Sequence, residues 1–332
     1  MRHLATIQKI EEIQPIPDAE RVCRYRVLGW WVVDQIGKYA VGDTVIYCEP
    51  DSLIPPDLQR ELFYSNVPEN EIPELKGFVL KTKKIRKVYS QGMIIPIEYV
   101  DGTVVFVSDD VSEVLNIQKY EPILPACLAG NAKGNFPSFI RKTDEDRIQS
   151  LSGDYDVFRG HRFSVTEKLE GSSMTVYKKD GNFGVCSRNL ELKDELGNSY
   201  WQVAHKFDIE NGLSREGFDN IAFQGELIGP GVQGNIYKLK ELDFRVFNVF
   251  LIDKGQYLPY NLMHDVSKTL GLNCVPQIYQ EFKLPSSIDE LLDLAEGQSV
   301  LAPVEREGLV FRNDDRSISF KAISRKYLAK KD

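Results

Sequence analysis

The sequence predicts an α+β protein in two parts, a small strand-built barrel followed by a domain in which strands and helices mix. Three observations predict it. The chain has 332 residues, enough for two domains of ordinary size. Short β-rich runs bounded by turn residues fill its first part, at a spacing that suits a barrel. From Gly160 onward, strand patterns alternate with helical ones. The expected domains are residues 1–125 and 126–332.

In order, Ala5-Thr6-Ile7, Arg24 to Leu28 and Trp31-Val32-Val33 read as strands, as do Thr44 to Tyr47 after Val41-Gly42-Asp43 and Met93 to Ile97 after Gly92. Between the last two, Lys76 to Tyr89 holds six basic residues and no acid. Its Lys81, Lys83, Lys84, Arg86 and Lys87 are interleaved with Phe78, Ile85 and Tyr89, which suits a strand pair tracking phosphates. Pro122 and Pro125 mark a connection. A short helix carrying Ile140, Ile148 and Leu151 is expected after the Pro137 turn. Ser173 to Tyr177 and Ala222-Phe223-Gln224 read as strands, and Tyr200 to Phe207 as a helix. Asn261 to Leu270 is a second helix, closed by Gly271. Ser287-Ile288-Asp289-Glu290 is a capping box opening a third, which stops near Gly297.

Composition narrows the function. A net charge of −8 argues against a protein that coats nucleic acid through uniform basicity. Five scattered cysteines without a Cys-x-x-Cys pair argue against a disulfide framework or a structural zinc site. Neither a signal-peptide core nor a membrane-length apolar run is present, so an intracellular, cytoplasmic and soluble protein is expected. The four histidines show no ligand spacing and read as structural. Ser172-Ser173 has no partner arrangement for serine catalysis.

The chemistry concentrates in the second half. Lys168 opens a Lys-x-x-Gly element, Lys168-Leu169-Glu170-Gly171, after the run Phe163-Ser164-Val165. Lysine attacks phosphorus only when its amine is deprotonated or aimed by a metal. Alone such an element is weak. In order after it come Ser187-Arg188-Asn189, Phe223-Gln224-Gly225-Glu226, the aromatic strand Phe244 to Phe250, Glu305-Arg306-Glu307-Gly308 and Ser319-Phe320-Lys321. A glycine beside Glu226 reads as room for a ligand to approach the backbone. Glu170, Glu226 and Glu307 are oxygen donors suited to Mg²⁺, with Asp253 as a further candidate.

This ordered set resembles the covalent nucleotidyltransferases, polynucleotide ligases and messenger-RNA capping enzymes, over about residues 135 to 325. Within that superfamily it is most similar to the Deinococcus/Naegleria-type ATP-dependent RNA ligases. Those carry an OB-like domain first and a Phe-Pro-x-Phe-Ile…Lys-Thr-Asp-Glu-x-Arg-Ile-Gln stretch like Phe136 to Gln149. The resemblance implies an N-terminal OB-like β-barrel followed by a nucleotidyltransferase domain, ATP-grasp-like, of antiparallel sheets plus helices. It implies Lys168 as the nucleophile that takes AMP from ATP, and Glu167 reading the adenine edge. Arg188 would hold the ribose or α-phosphate region, Phe247 would stack on adenine and Lys321 would contact the α-phosphate. Glu226 and Glu307 would face ribose and metal, with Glu170, Glu307 and Asp253 as the ligand set for Mg²⁺ or Mn²⁺. Arg147 and Gln149 fall in the family stretch and are grouped with the RNA contacts. Two departures stand out: Glu170 replaces the usual Asp, and Ser319 replaces the first of two lysines.

The implied activity is joining of RNA 3′-OH and 5′-phosphate ends, in a nicked duplex, by a monomer engaged in RNA repair. A DNA ligase or capping guanylyltransferase is the nearest enzymatic rival. Those continue into a C-terminal OB domain, whereas 11 residues follow Lys321 here. A catalytically inactive RNA-binding protein is the rival of a different class, and the retained Lys168, Glu226, Glu307 and Lys321 argue against it.

Overall fold

The computed structural model describes residues 3–100, 105–120 and 132–331. The expected boundary near residue 125, with Pro122 and Pro125, lies outside them. The chain forms two compact units: Met1–Pro122 with Ile148–Tyr155 and Leu328–Asp332, and Ile123–Arg147 with Asp156–Tyr327. Among the described residues no helix is long and apolar enough to cross a membrane.

In the first unit Ala5–Lys9, Thr44–Cys48 and Met93–Pro96 form an antiparallel sheet with Ile46 central between Ile7 and Ile95. All three isoleucines are fully buried. Glu12–Pro15, Val22–Val27 and Trp30–Gln35 form a second sheet. There Cys23, Tyr25 and Val27 point inward while Arg24 and Arg26 lie half-buried, the alternation a two-residue period requires. Arg24 and Arg26 stack over Trp31, at 4.2 and 5.2 Å from its ring. A third sheet joins Gln118–Lys119, Ser52–Ile54 and Phe78–Val79. The basic track folds as a separate hairpin, Lys83–Ile85 against Val88–Ser90. The helix Pro56–Tyr64, which carries Pro at its first position, gives little sequence signal because its apolar face is short.

The second unit is built on two sheets. The larger runs Ala132–Asn135, Leu190–Leu192, Asn182–Cys186, Ser172–Lys179, Ile221–Ile228, Asp243–Leu251 and Gln256–Tyr257, with Asn273–Cys274 added parallel to Asp243–Leu251. One face, carrying Met174, Val176, Val185, Phe223, Leu227 and Phe244, is covered by helices Ser199–Lys206, Ile209–Arg215 and Tyr260–Thr269 through Tyr200, Val203, Leu213 and Met263. The smaller sheet has the order Gln277–Phe282, Phe163–Lys168, Gly308–Asn313, Ser319–Ile323, all antiparallel. Its back is aromatic: Phe320 lies 5.4 Å from Phe163 and 5.0 Å from Phe311.

Expected helices appear at Ser199–Lys206 and Tyr260–Thr269, the latter followed by Gly271 at φ +68°. Ser287 caps Ile288–Ala295 by accepting from Glu290 N–H. The stretch after Pro137 differs from expectation. Residues 141–146 are irregular, and helical turns begin only at Ile148. Asp144 and Glu145 of that stretch are drawn into ion pairs with distant strands of the unit, which hold it extended.

Candidate active site

Lys168 ends the strand Phe163–Lys168 and lies opposite Gly308. That register sets it beside the preceding residue, and Lys168 Nζ is 2.9 Å from Glu307 Oε1. One strand further over, Lys321 is opposite Val310, which is opposite Thr166. Thr166 and Lys168 share a strand face, so both lysines line the same side of the sheet.

Gly171 shows why the element ends in glycine. A Cβ there would lie 2.4 Å from the Leu227 carbonyl oxygen and 2.8 Å from Glu226 Cγ. The bare backbone lets the turn after Lys168 press against the strand of the larger sheet that bears Glu226. Gly225 has a different reason from the one expected. Its Cβ would meet the Arg245 carbonyl oxygen at 2.4 Å, so the neighbouring strand, and not a ligand, requires glycine.

On that neighbouring strand Gln224 pairs with Asn248 but Gly225 pairs with Val246. Phe247 is the extra residue of a bulge, which re-aims it. It packs with Leu169, Ile228, Tyr237 and Val275, beside the turn that follows Lys168. The Arg312 guanidinium stands 5.7 Å from its ring.

The electrostatics are strongly perturbed. Burial alone would lower the Lys168 ammonium, but the Glu307 and Glu226 carboxylates outweigh it and hold the pKa above the ordinary lysine value. The pocket therefore holds the amine protonated, the reverse of an activated nucleophile. Burial pushes Glu226 up to about 8, with Lys168 opposing and Glu307 adding to the rise. Burial lowers Lys321 to about 8, helped by the Lys168 charge. Two carboxylates and two lysines crowd one pocket, the pattern of sites that handle protons or charged ligands.

The segment 141–147 threads this pocket. Asp144 holds two cations at once, Arg188 at 2.8 Å and Lys321 at 3.5 Å. Glu145 pairs with Arg312, which also reaches Thr166 Oγ1. Although burial raises the Glu145 carboxyl, Arg312 and Lys321 bring it below the ordinary value. Asp144, Glu145 and Arg312 were not assigned from sequence. The signal was present in the Lys-Thr-Asp-Glu-x-Arg stretch, whose individual contacts need the fold to be read.

Glu167 faces away from Lys168. Its Oε2 accepts from Val300 N–H at 2.9 Å, while Oε1 is buried without a hydrogen bond. The main-chain N–H of Glu170 donates to the Tyr237 hydroxyl at 2.7 Å, and its carboxylate accepts from Tyr327. Among the described residues no three His, Cys, Asp or Glu side chains are grouped to cage a metal ion. An open set of carboxylates fits Mg²⁺ or Mn²⁺, which keep waters and bind through one or two carboxylates plus substrate phosphates.

Three expectations need correction. Asp253 bonds Asn220 at 2.8 Å, at the opposite end of the Glu226 strand. Six residues of strand put about 20 Å between it and Glu226, so it does not join this set. Gln149 is 1% exposed and its carbonyl accepts from Gly29 N–H within the first unit, leaving no surface for RNA. Arg147 is buried and bridges to Lys321 through the backbone, which places it with the pocket instead of an outer RNA surface. Lys81, Lys83, Lys84, Arg86 and Lys87 are all exposed, on or beside the hairpin of the first unit. Arg86 and Lys87 occupy its two-residue turn at φ +45° and +70°. That conformation favours Asn-Gly, and two long basic side chains hold it at a cost.

Comparison with known proteins gives consistent matches. A family model described as RNA ligase matches residues 161–330, and an OB-fold domain model matches residues 4–97. The whole chain is similar to solved structures of the RNA ligase of Naegleria gruberi. A glutamate-to-alanine variant with AMP and Mn shares 39% identity at a TM-score of 0.89, over 99% of each chain. A lysine-to-alanine variant with ATP and Mn shares 39% at 0.89 over 98% of each, and a complex with pyrophosphate 39% at 0.88 over 99% of each. No curated protein matches the sequence.

Proposed function

The chain belongs to the RNA ligase family, and from that premise we propose that it seals RNA by carrying AMP on Lys168. It is an ATP-dependent ligase with an OB-fold domain followed by a nucleotidyltransferase fold. We assign residues 1–125 to gripping RNA and 126–332 to adenylyl transfer. The observation that carries the reading is the Lys168–Glu307 pair, 2.9 Å apart, with Lys321 on the same sheet face and Glu226 pressed in by Gly171.

In the first step Lys168 Nζ gives its proton to solvent and attacks the α-phosphorus of ATP. A P–N bond forms, the bond to the bridging oxygen breaks, and pyrophosphate leaves. Next a 5′-phosphate oxygen of RNA attacks the same phosphorus, the P–N bond breaks, and the lysine is regenerated. Finally the RNA 3′-hydroxyl attacks the activated 5′-phosphate and AMP departs. Lys321 and Arg188, released from Asp144, neutralise the charge that grows on the phosphate. Glu307 holds the ammonium in place until the amine is needed. Glu226 and Glu307, with Glu170 as a more distant contributor, would hold Mg²⁺ or Mn²⁺, which would supply positive charge at the α-phosphate and favour the neutral amine.

Phe247 stacks on the base. Glu167 Oε1, a buried acceptor without a donor, matches the exocyclic amine of adenine, where guanine presents a carbonyl. In this reading the exposed lysines of the hairpin hold phosphates of a nicked duplex with 3′-OH and 5′-phosphate ends. The protein acts as a cytoplasmic monomer in RNA repair. The test uses Lys168→Ala, which should lose sealing with ATP yet seal RNA that already carries the 5′-adenylyl group. Equal loss on both substrates would remove Lys168 from its role as carrier.

A further inference from the structure

Outside the pocket, the second unit carries an exposed aromatic and basic surface that the adenylylation chemistry does not use. It is built by the segment that leads to Asp144. Ile140 is buried among Tyr177, Cys186, Ala222 and Phe250 and anchors that segment to the larger sheet. Its neighbour Phe139 turns outward and stays 38% exposed. Phe139 meets Tyr177 edge-on at 5.4 Å, and Lys179 Nζ lies 5.5 Å from its ring. Three residues earlier Phe136 is half-buried, with Lys142 Nζ 5.7 Å from its ring. Lys142 also donates to Asn189 Oδ1 at 2.9 Å, next to Arg188. Arg141 is exposed, and its carbonyl accepts from Gln224 at 2.7 Å. From Phe139 to Asp144 the chain spans at most about 18 Å, so the surface ends where the phosphate-binding cations begin.

We propose that Phe139, with Phe136, Arg141, Lys142 and Lys179, is a stacking platform for one RNA strand where it leaves the duplex beside the nick, on its way to Lys168. A ring offers each base a face, and an ammonium beside the ring meets the following phosphate, the combination that binds single strands without reading sequence. A purely structural role explains the surface less well. Burial, not exposure, is what stabilises a phenylalanine, and the next residue in the chain shows that the segment can bury one side chain fully. Acidic groups border the platform. Asp180 pairs with Lys179, Glu191 holds Lys133 and the Tyr177 hydroxyl, and Asp144 closes the inner end. They bound the positive surface on the sides those side chains occupy.

The proposal rests on the RNA ligase reading and deepens it. Its test is binding of a short oligoribonucleotide carrying 2-aminopurine, whose fluorescence falls on stacking. Wild type, Phe139→Ala, Phe139→Trp and the double variant Lys142→Ala/Lys179→Ala are compared. Stacking on one ring predicts affinity lower by about tenfold or more in Phe139→Ala, with recovery in Phe139→Trp. The double lysine variant should bind more weakly and with a shallower salt dependence. Self-adenylylation, which involves no RNA, reports that each variant has folded. Quenching and affinity within twofold of wild type in both Phe139→Ala and the lysine variant would overturn the platform. Absence of self-adenylylation in the wild type would instead overturn the ligase reading, and the binding data would still judge the platform.

Discussion

Replacing Lys87 by glycine should make the protein more stable and worse at holding RNA. Lys87 sits at φ +70° in the second position of the hairpin turn. A side chain in that left-handed conformation costs about 1–2 kcal/mol. Glycine removes the strain but gives back about 0.5–1 kcal/mol through its freer unfolded chain. The expected net gain is about 0.5–1 kcal/mol, or roughly 1 °C in Tm for a chain of 332 residues. Arg86 stays in place with its bond to the Asp18 carbonyl oxygen at 2.7 Å, so the hairpin keeps its tether. Lys87→Asn, which tolerates the conformation without the added freedom, should behave alike. Thermal unfolding gives the first quantity. RNA binding titrated across salt gives the second: affinity should fall, and the log–log slope should become shallower by about 0.7–0.9. Lower stability in both variants would refute the strain argument. Unchanged RNA affinity and slope would refute the hairpin as a phosphate grip.

Other outcomes follow from the pocket. Gly171→Ala should abolish self-adenylylation and destabilise by about 1–3 kcal/mol, because its Cβ would enter the space of the Leu227 carbonyl; urea titration with adduct labelling measures both. Glu145→Gln should cost about 3 kcal/mol by stranding the buried Arg312. The Glu145 carboxyl is depressed by Arg312 and Lys321 despite burial, so its stabilisation is present above the ordinary glutamate range and lost as pH falls through the depressed value. Wild type should thus lose stability towards acid faster than Glu145→Gln. Glu226 has the opposite sign. Its pKa is raised to about 8, so ionising it in the folded protein carries a cost that grows from about pH 4.5 to 8. Glu226→Gln should gain Tm over that window while losing adenylyl transfer, and a pH-independent difference in Tm would contradict the assignment.

Lys168, Glu226, Glu307 and Lys321 stood out as candidates because each sits in a short motif whose order along the chain carries information, and the fold brings the four together. Local pattern also placed the helices Ser199–Lys206 and Tyr260–Thr269, where caps and apolar spacing agree. What the sequence withheld depends on distant strands meeting. Asp144 and Glu145 carry no assignment from sequence, and only the folded chain joins them to Lys321 and Arg312, 177 and 167 positions away. Asp253 followed an aromatic strand in sequence, yet strand direction carries it to the wrong end. Gln149 shared a motif with Arg147, but the two neighbours fall in different units. The sign of the Lys168 shift was equally hidden, because it depends on how closely two carboxylates approach through the gap that Gly171 leaves.

The most direct test is to incubate the protein with ATP labelled at the α-phosphate and a divalent ion, then map the label by peptide mass spectrometry. One label on the Lys168 side chain, carried by a bonded adenylate, is the result expected of this pocket, and with label on the γ-phosphate alone the adenylate should form without any label on the protein. Label on another residue, or an intact protein whose mass never changes, would contradict it.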